Sequence, residues 1–172
     1  MARRALTGVL LVGGASTRFG SPKAHAVLDG ETLAERAWRL LGDACDERLA
    51  VGRADGLPFP TLPDARAGAG PLGGVVAGLR VAAHDVCVVV PVDMPLLDAA
   101  ALHALAGACR DAAVAQLGPL PAAFARTALP VLEDALARGE LRLRDAVARL
   151  DVSTVALEPE MLRNVNTPDD LQ

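Results

Sequence analysis

LLVGGASTRFGSPK, running from Leu10 to Lys23, is the stretch on which the fold of this chain turns. It opens inside a predominantly apolar run, Leu6 to Val12, and changes abruptly into glycines, small hydroxyl residues, Arg18 and Lys23. That is a buried strand emptying into a loop. Glycine backbone can bring its N–H groups close to an anion because no side chain blocks the approach. Arg18 adds a planar donor fork and Lys23 a mobile point charge, both suited to phosphate. Of 17 basic residues Lys23 is the only lysine, which singles it out further. The spacing matches neither G-x-x-x-x-G-K-[ST] nor G-x-G-x-x-G, so this is a different phosphate loop, or else an ordinary strand-to-loop turn with incidental charges.

The chain has 172 residues, 52% of them hydrophobic, enough for one domain spanning residues 1–172. A net charge of −4 gives no basic surface for nucleic acid or membrane, so anionic ligands must be met locally. Cys45, Cys87 and Cys109 lack metal-binding or disulfide spacing and read as reduced, buried, small apolar residues of an intracellular, cytoplasmic protein. Arg3 and Arg4 ahead of an apolar run superficially resemble a signal peptide, but no small-residue cleavage pattern follows. No apolar run approaches the ~20 residues that span a bilayer.

Onward from the loop, Ala26 to Leu28 and the turn Asp29-Gly30 precede a helix capped by Thr32, with Leu33, Ala37, Leu40, Leu41 and Ala44 on one face. Trp38 borders that face as packing. Glu47 to Gly52 reads as a strand, followed by an irregular stretch through Pro58, Pro60 and Pro63 to Asp64. A helix opens at Gly70-Pro71, its glycines allowing close approach of either another backbone or a ligand. Asp85 to Pro91 holds VCVVV, the clearest central strand, and ends in Val92-Asp93-Met94-Pro95. A carboxylate just past the carboxyl end of such a strand sits where open α/β sheets bind ligands, and Asp98 is better placed than Asp93 to cap the next helix.

Two short strands, Ala112 to Leu117 and Pro121 to Phe124, form a hairpin around Gly118-Pro119. Helical spacing returns at Leu129, Leu132 and Leu136 and again at Leu143, Val147 and Leu150, before a last strand over Val152 to Leu157. The tail RNVNTPDDL contains both asparagines of the chain, Asn164 and Asn166, and Thr167-Pro168 starts a helical turn. The alternation gives an α/β fold: a three-layer α/β/α sandwich around a mostly parallel, Rossmann-like sheet with a small antiparallel excursion.

Three separated segments together resemble a known family. LVGGASTRFGSPK is similar to the L-x-G-G-x-S-x-R-x-G-x-x-K signature of Rossmann-like nucleotidyltransferases. PVDMP resembles their P-x-D-x-P metal segment, and RNVNTPDDL resembles the N-V-N-T-P-E-E-L ending of molybdenum cofactor guanylyltransferases. PDARAGAGPLGG lies between them in the same order, so the resemblance covers nearly the whole chain.

The resemblance implies transfer of GMP from Mg·GTP to the terminal phosphate of molybdopterin, with release of pyrophosphate. It implies that Leu11, Val12, Gly13 and Gly14 hold the guanine nucleotide, Lys23 its phosphates, Arg18 the triphosphate, Asp64 the nucleotide and Asp93 the Mg2+. Asn164 and Asn166 would serve the pterin side or the outer metal shell. GTP and molybdopterin are the implied small-molecule partners, with other cofactor-biosynthesis proteins and molybdoenzyme acceptors beyond them. The chain departs from the pattern at Val12, at Phe19 and Pro22, in its short 115–124 region, and near Gly52 and Arg53, where the family often has an asparagine. Alternatives are a CTP-dependent molybdopterin or sugar-phosphate nucleotidyltransferase, or a non-catalytic nucleotide-binding protein on the same fold. The paired Gly13-Gly14 and the two asparagines favour guanine.

Overall fold

A computed structural model describes residues 3–13 and 22–172. Eight strands and five α-helices are formed by these residues: β1 (Leu6–Leu11), β2 (Val27–Leu28), β3 (Glu31–Thr32), α1 (Leu33–Ala44), β4 (Glu47–Val51), α2 (Gly70–Val81), β5 (Val86–Pro91), α3 (Ala99–Ala108), β6 (Ala112–Ala115), β7 (Ala122–Ala125), α4 (Leu129–Ala137), α5 (Leu143–Val147) and β8 (Val152–Val155). The main sheet runs β4-β1-β5-β7-β6-β8. β4, β1 and β5 pair in parallel, β7 runs against both β5 and β6, and β8 lies parallel to β6. The expected antiparallel excursion is therefore β7 alone.

β1 is buried along its entire length because both faces are covered. Leu6 and Leu10 point with Val86, Val88 and Val90 into a core shared with α1 and α3. Val9 and Leu11 point the other way with Cys87 and Val89, toward α2, α4 and α5. This period-two division makes the three layers. The one buried polar side chain among the described residues, Thr7, donates from Oγ1 to Glu47 at 2.6 Å, which removes the cost of burying an unpaired hydroxyl.

Local signals place the helices. Thr32 accepts from Glu35 N, and the Glu35 carboxylate accepts in turn from Thr32 N, closing a capping box worth about 1 kcal/mol at such positions. Asp98 accepts from Ala101 N at 2.7 Å and caps α3, leaving Asp93 unused by that helix. Two glycines of α2 serve packing on β1: a Cβ on Gly78 would come within 2.8 Å of Val9 Cγ1, and one on Gly74 within 2.7 Å of Leu11 Cδ2. Trp38 stacks on Phe59 with ring centroids 4.3 Å apart, and the Arg48 guanidinium lies 4.5 Å over its ring. It is a packing residue. Cys87 is buried, which pushes its thiol up to about 12, whereas Cys45 and Cys109, expected to be buried as well, are only half-buried because they sit at the ends of α1 and α3.

β1 leads through α1 to β4, whereas β5 leads through α3 to β6, so the chain departs from these adjacent strands in opposite directions along the sheet. Such a reversal leaves a crevice at the strands' carboxyl ends. Leu11 and Pro91 are register partners there, and Val92 N donates to Leu11 O at 3.1 Å.

Candidate functional site

The crevice receives one segment from each of three distant parts of the sequence. Lys23 starts a short 3-10 turn, Lys23–His25, at the far end of the glycine loop. Asp93 follows β5 directly, and the tail returns to lie against it: Val165 N donates to Asp93 O at 2.8 Å. Val165 is itself buried in the α1/α3 core, so the two asparagines beside it are carried to the sheet's carboxyl edge.

Side chains then converge. Lys23 Nζ lies 3.4 Å from Asp93 Oδ2 and 3.2 Å from Asn166 Oδ1. The Lys23–Asp93 pair is about three-quarters buried on each side, with side-chain exposures of 21% and 24%. A pair withdrawn from water to this extent holds each group at one place in the crevice while leaving it open to exchange partners with an incoming anion. Asn164 does not join the cluster. It is exposed.

Asp170 fixes the asparagine's backbone. Its Oδ2 accepts from Asn166 N and Thr167 N, each at 2.8 Å, and from Thr167 Oγ1 at 3.1 Å. These bonds, Asn166 N first, hold the Asp170 carboxyl below the ordinary carboxylate range. Asp170 also closes a capping box with Thr167, and the T-P-x-D spacing is the sequence signal for it.

A second region adjoins the first. Thr61 and Leu62 run alongside β4, with Leu62 paired in parallel to Val51, Gly52 N donating to Leu62 O at 2.9 Å and Leu62 N to Ala50 O at 2.8 Å. The pairing sets Asp64 across from the turn that follows β4. Between them lies a cleft of about 450 Å³ lined by Gly52, Arg53, Ala54, Asp55, Thr61, Pro63, Asp64 and Ala67. Asp64 is partly withdrawn from water, and this desolvation pushes its carboxyl up.

Gly52 connects cleft and loop. It has φ +118°, and a Cβ there would stand 2.5 Å from Gly13 N and 2.9 Å from Gly13 Cα. The backbone after β4 thus touches the backbone after β1, and the cleft opens beside Gly13. Leu11 and Val12 are buried just beneath, while Gly13 is exposed. Of the residues expected to bind nucleotide, Asp64 lines the cleft, Gly13 lies against Gly52 at its edge, Leu11 and Val12 are buried in the two core layers, and Lys23, Asp93 and Asn166 form the cluster. Gly14 and Arg18 lie outside the described residues.

Chemically, the arrangement suits polyphosphate. The cluster offers an ammonium, a carboxylate and a carboxamide oxygen, and no group of three or more His, Cys, Asp or Glu stands ready to hold a metal among the described residues. A hard cation that brings phosphate oxygens and water as most of its own shell fits such a donor set; a cation needing an all-protein cage does not. His25, in the turn that begins at Lys23, ties that turn to the cleft wall, its Nε2 meeting Asp55 O at 2.6 Å, whereas His103 Nε2 meets Ala44 O at 2.8 Å.

Comparison with known proteins gives the family. A protein of Chloroflexus aggregans named as a probable molybdenum cofactor guanylyltransferase is 37% identical, over 97% of this chain and 92% of its own length. One of the same name from Deinococcus radiodurans is 36% identical, over 96% and 92%. Among solved structures, molybdopterin-guanine dinucleotide biosynthesis protein A from Archaeoglobus fulgidus superposes with a TM-score of 0.81 at 27% identity, covering 96% of this chain and 94% of that one. With residues 8–154 matching the model of the MobA-like NTP transferase domain, the chain belongs to that family of nucleotidyltransferases.

Proposed function

We propose that this protein transfers GMP from Mg·GTP to the terminal phosphate of molybdopterin, releasing pyrophosphate and forming the guanine dinucleotide cofactor. The observation that carries the reading is the meeting of Lys23, Asp93 and Asn166 where the loop after β1, the end of β5 and the tail come together. The names carried by relatives of nearly full-length similarity support the same assignment.

The reaction asks little of a general base, because the attacking phosphate is already ionised near neutral pH. An oxygen of that phosphate bonds to the α-phosphorus of GTP, and the bond from the α-phosphorus to the bridging oxygen breaks as pyrophosphate departs. Two anions must be held in line while charge grows on the leaving group, a task of positioning and electrostatics. Gly13 and the loop beyond it would cradle the triphosphate. Lys23 would exchange its contact with Asp93 for phosphate oxygens, and Asp93 would then hold Mg2+. The cation supplies charge neutralisation across the phosphates. Asn166, placed by Asp170, would orient the incoming pterin phosphate or the water around the cation.

Isothermal titration with GTP, CTP and ATP, with and without Mg2+, tests the nucleotide. Selective Mg2+-dependent binding of GTP, followed by pyrophosphate release when molybdopterin is added, is the expected result. Preference for CTP would replace the product, and binding without turnover would reduce the protein to a nucleotide binder.

A further inference from the structure

Lys23 meets Asp93 and Asn166 at the end of a flexible hydrocarbon stem, so the place of its ammonium depends on the turn that carries it. That turn, Lys23–His25, is only 3 residues long. It is closed by His25 N donating to Pro22 O at 3.1 Å and Ala26 N to Lys23 O at 3.0 Å, bonds that shape the turn without fixing how it is oriented on the protein. Anchors to other segments must do that. One is Ala24, 1% exposed and buried in the α1/α3 core, with Ala26 O beyond it accepting from Leu33 N at 2.8 Å. The other is His25, whose Nε2 meets Asp55 O at 2.6 Å across 30 residues of sequence.

The two anchors differ in kind. Burial of a methyl group is non-directional, and the Leu33 bond is made outside the turn, at Ala26. The His25 bond is directional and comes from within the turn. A backbone carbonyl can only accept, so Nε2 carries the proton and donates, in neutral imidazole and in imidazolium alike. The ring also lies next to Gly56, where an added Cβ would stand 3.8 Å from His25 Cε1, so the 55–56 turn receives both the bond and the ring. Without this contact the turn can rock about the buried Ala24. A rock of about 10° at the backbone moves the ammonium by about 1 Å, a displacement that costs on the order of a hundredfold where a reaction depends on placed charge.

We propose that His25 is a positioning residue for Lys23: by donating from Nε2 to Asp55 O it fixes the turn that aims the ammonium at Asp93 and Asn166. His25 acts through Lys23 and exchanges no proton with substrate. Its effect on turnover rests on the guanylyl-transfer reading given above, whereas its effect on the place of Lys23 rests on the geometry alone.

The composition of the chain supplies a probe. Lys23 is its only lysine, so protein made with 13C-labelled lysine reports the Lys23 side chain by NMR without interference. In the unmodified protein the two ε-protons should be inequivalent, as in a fixed side chain, and in His25→Ala they should merge as the ammonium moves free. His25→Gln, whose amide nitrogen can donate from the place of Nε2, should keep them apart. With GTP and molybdopterin, His25→Ala should lower kcat by about tenfold while KM for GTP changes by less than about threefold, and His25→Gln should recover most of the loss. On a Lys23→Ala background, His25→Ala should cost nothing further, because the group it positions is gone. His25 is half-buried, and melting curves check that each variant is folded. If the ε-protons are already merged in the unmodified protein, or stay apart in His25→Ala, the positioning role is overturned. It is overturned as well if His25→Ala leaves kcat unchanged or lowers activity by the same factor with and without Lys23. If the unmodified protein does not turn over GTP with molybdopterin, the guanylyl-transfer reading fails and the lysine resonances alone decide the role of His25.

Discussion

The backbone N–H of Val165 donates to the backbone carbonyl of Asp93 at 2.8 Å, tying the tail of the chain to the end of its central strand. Because Val165 is buried and its neighbours are not, this one bond and one side chain set the position of Asn166 relative to Lys23 and Asp93. The cluster is therefore completed from the last residues of the sequence. Changes near the C-terminus should act on chemistry before they act on stability.

Asp170 offers that test. Its carboxylate gathers Asn166 N, Thr167 N and Thr167 Oγ1. Asp170→Ala should lower the melting temperature only modestly, by the loss of one cap on a 3-10 turn, Pro168–Leu171, that buries no residue, yet lower kcat by about tenfold through a loosened Asn166. Asp170→Asn, which keeps one acceptor oxygen, should recover part of it. A purely structural role would lower the melting temperature and leave kcat of the folded fraction intact.

Lys23 and Asp93 should respond differently from each other. Lys23→Ala removes a charge that stabilises the departing pyrophosphate and should cut turnover by roughly a hundredfold or more, the usual loss on deleting one such group. Asp93→Asn should fold normally, because Asp98 rather than Asp93 caps α3, and should lose activity together with its response to Mg2+. Steady-state rates across a Mg2+ series separate the two. An active Asp93→Asn protein with an unchanged Mg2+ response would place the metal elsewhere.

Much of this was legible because strand ends and loops are adjacent in sequence. The apolar run ending at Val12 and the run VCVVV had to be central strands, so the residues following them had to lie on one edge of the sheet. The glycines of α2 were ambiguous between ligand and packing, and the structure resolves Gly74 and Gly78 as packing on Leu11 and Val9. The cleft was not legible. It depends on Leu62 pairing with Val51 inside a proline-rich stretch, where missing N–H donors and absent periodicity conceal a strand-like segment. The docking of the tail was hidden for a similar reason, since a single backbone bond to Asp93 leaves no pattern in the side chains.

Gly52 and Gly74 provide a contrast in what an added methyl costs. At Gly52 the new Cβ meets backbone, Gly13 N at 2.5 Å, and φ is +118°, so neither neighbour nor torsion can yield cheaply. At Gly74 it meets the end of a side chain, Leu11 Cδ2 at 2.7 Å, which can change rotamer. Gly52→Ala should thus destabilise by about 2 kcal/mol or more and weaken nucleotide binding with it, whereas Gly74→Ala should cost about 1 kcal/mol. Denaturant titration of both variants checks the order, and equal losses would mean that the loop after β1 moves freely away from β4.

Acid stability depends on carboxylates held in the charged form, and Asp111 is one far from the crevice. Thr127 Oγ1 donates to it at 2.7 Å and Asp151 N at 3.1 Å, which together keep its carboxyl below the ordinary value of 3.8. A lowered folded value means that the unfolded chain takes up the proton first. The stabilisation is present in full above the ordinary carboxylate range and disappears as pH falls through the lowered folded value. Asp111→Asn should accordingly be less stable than the unmodified protein near neutral pH, with the difference shrinking as pH drops toward about 2. Unfolding free energies from denaturant titrations between about pH 6 and pH 2 measure this. Because Asp134, Asp46 and Asp170 are lowered as well, both proteins should still weaken in acid, and it is the convergence of the two curves that identifies the share belonging to Asp111. A gap that stays constant through this range would mean that Asp111 contributes by geometry alone and not by its charge.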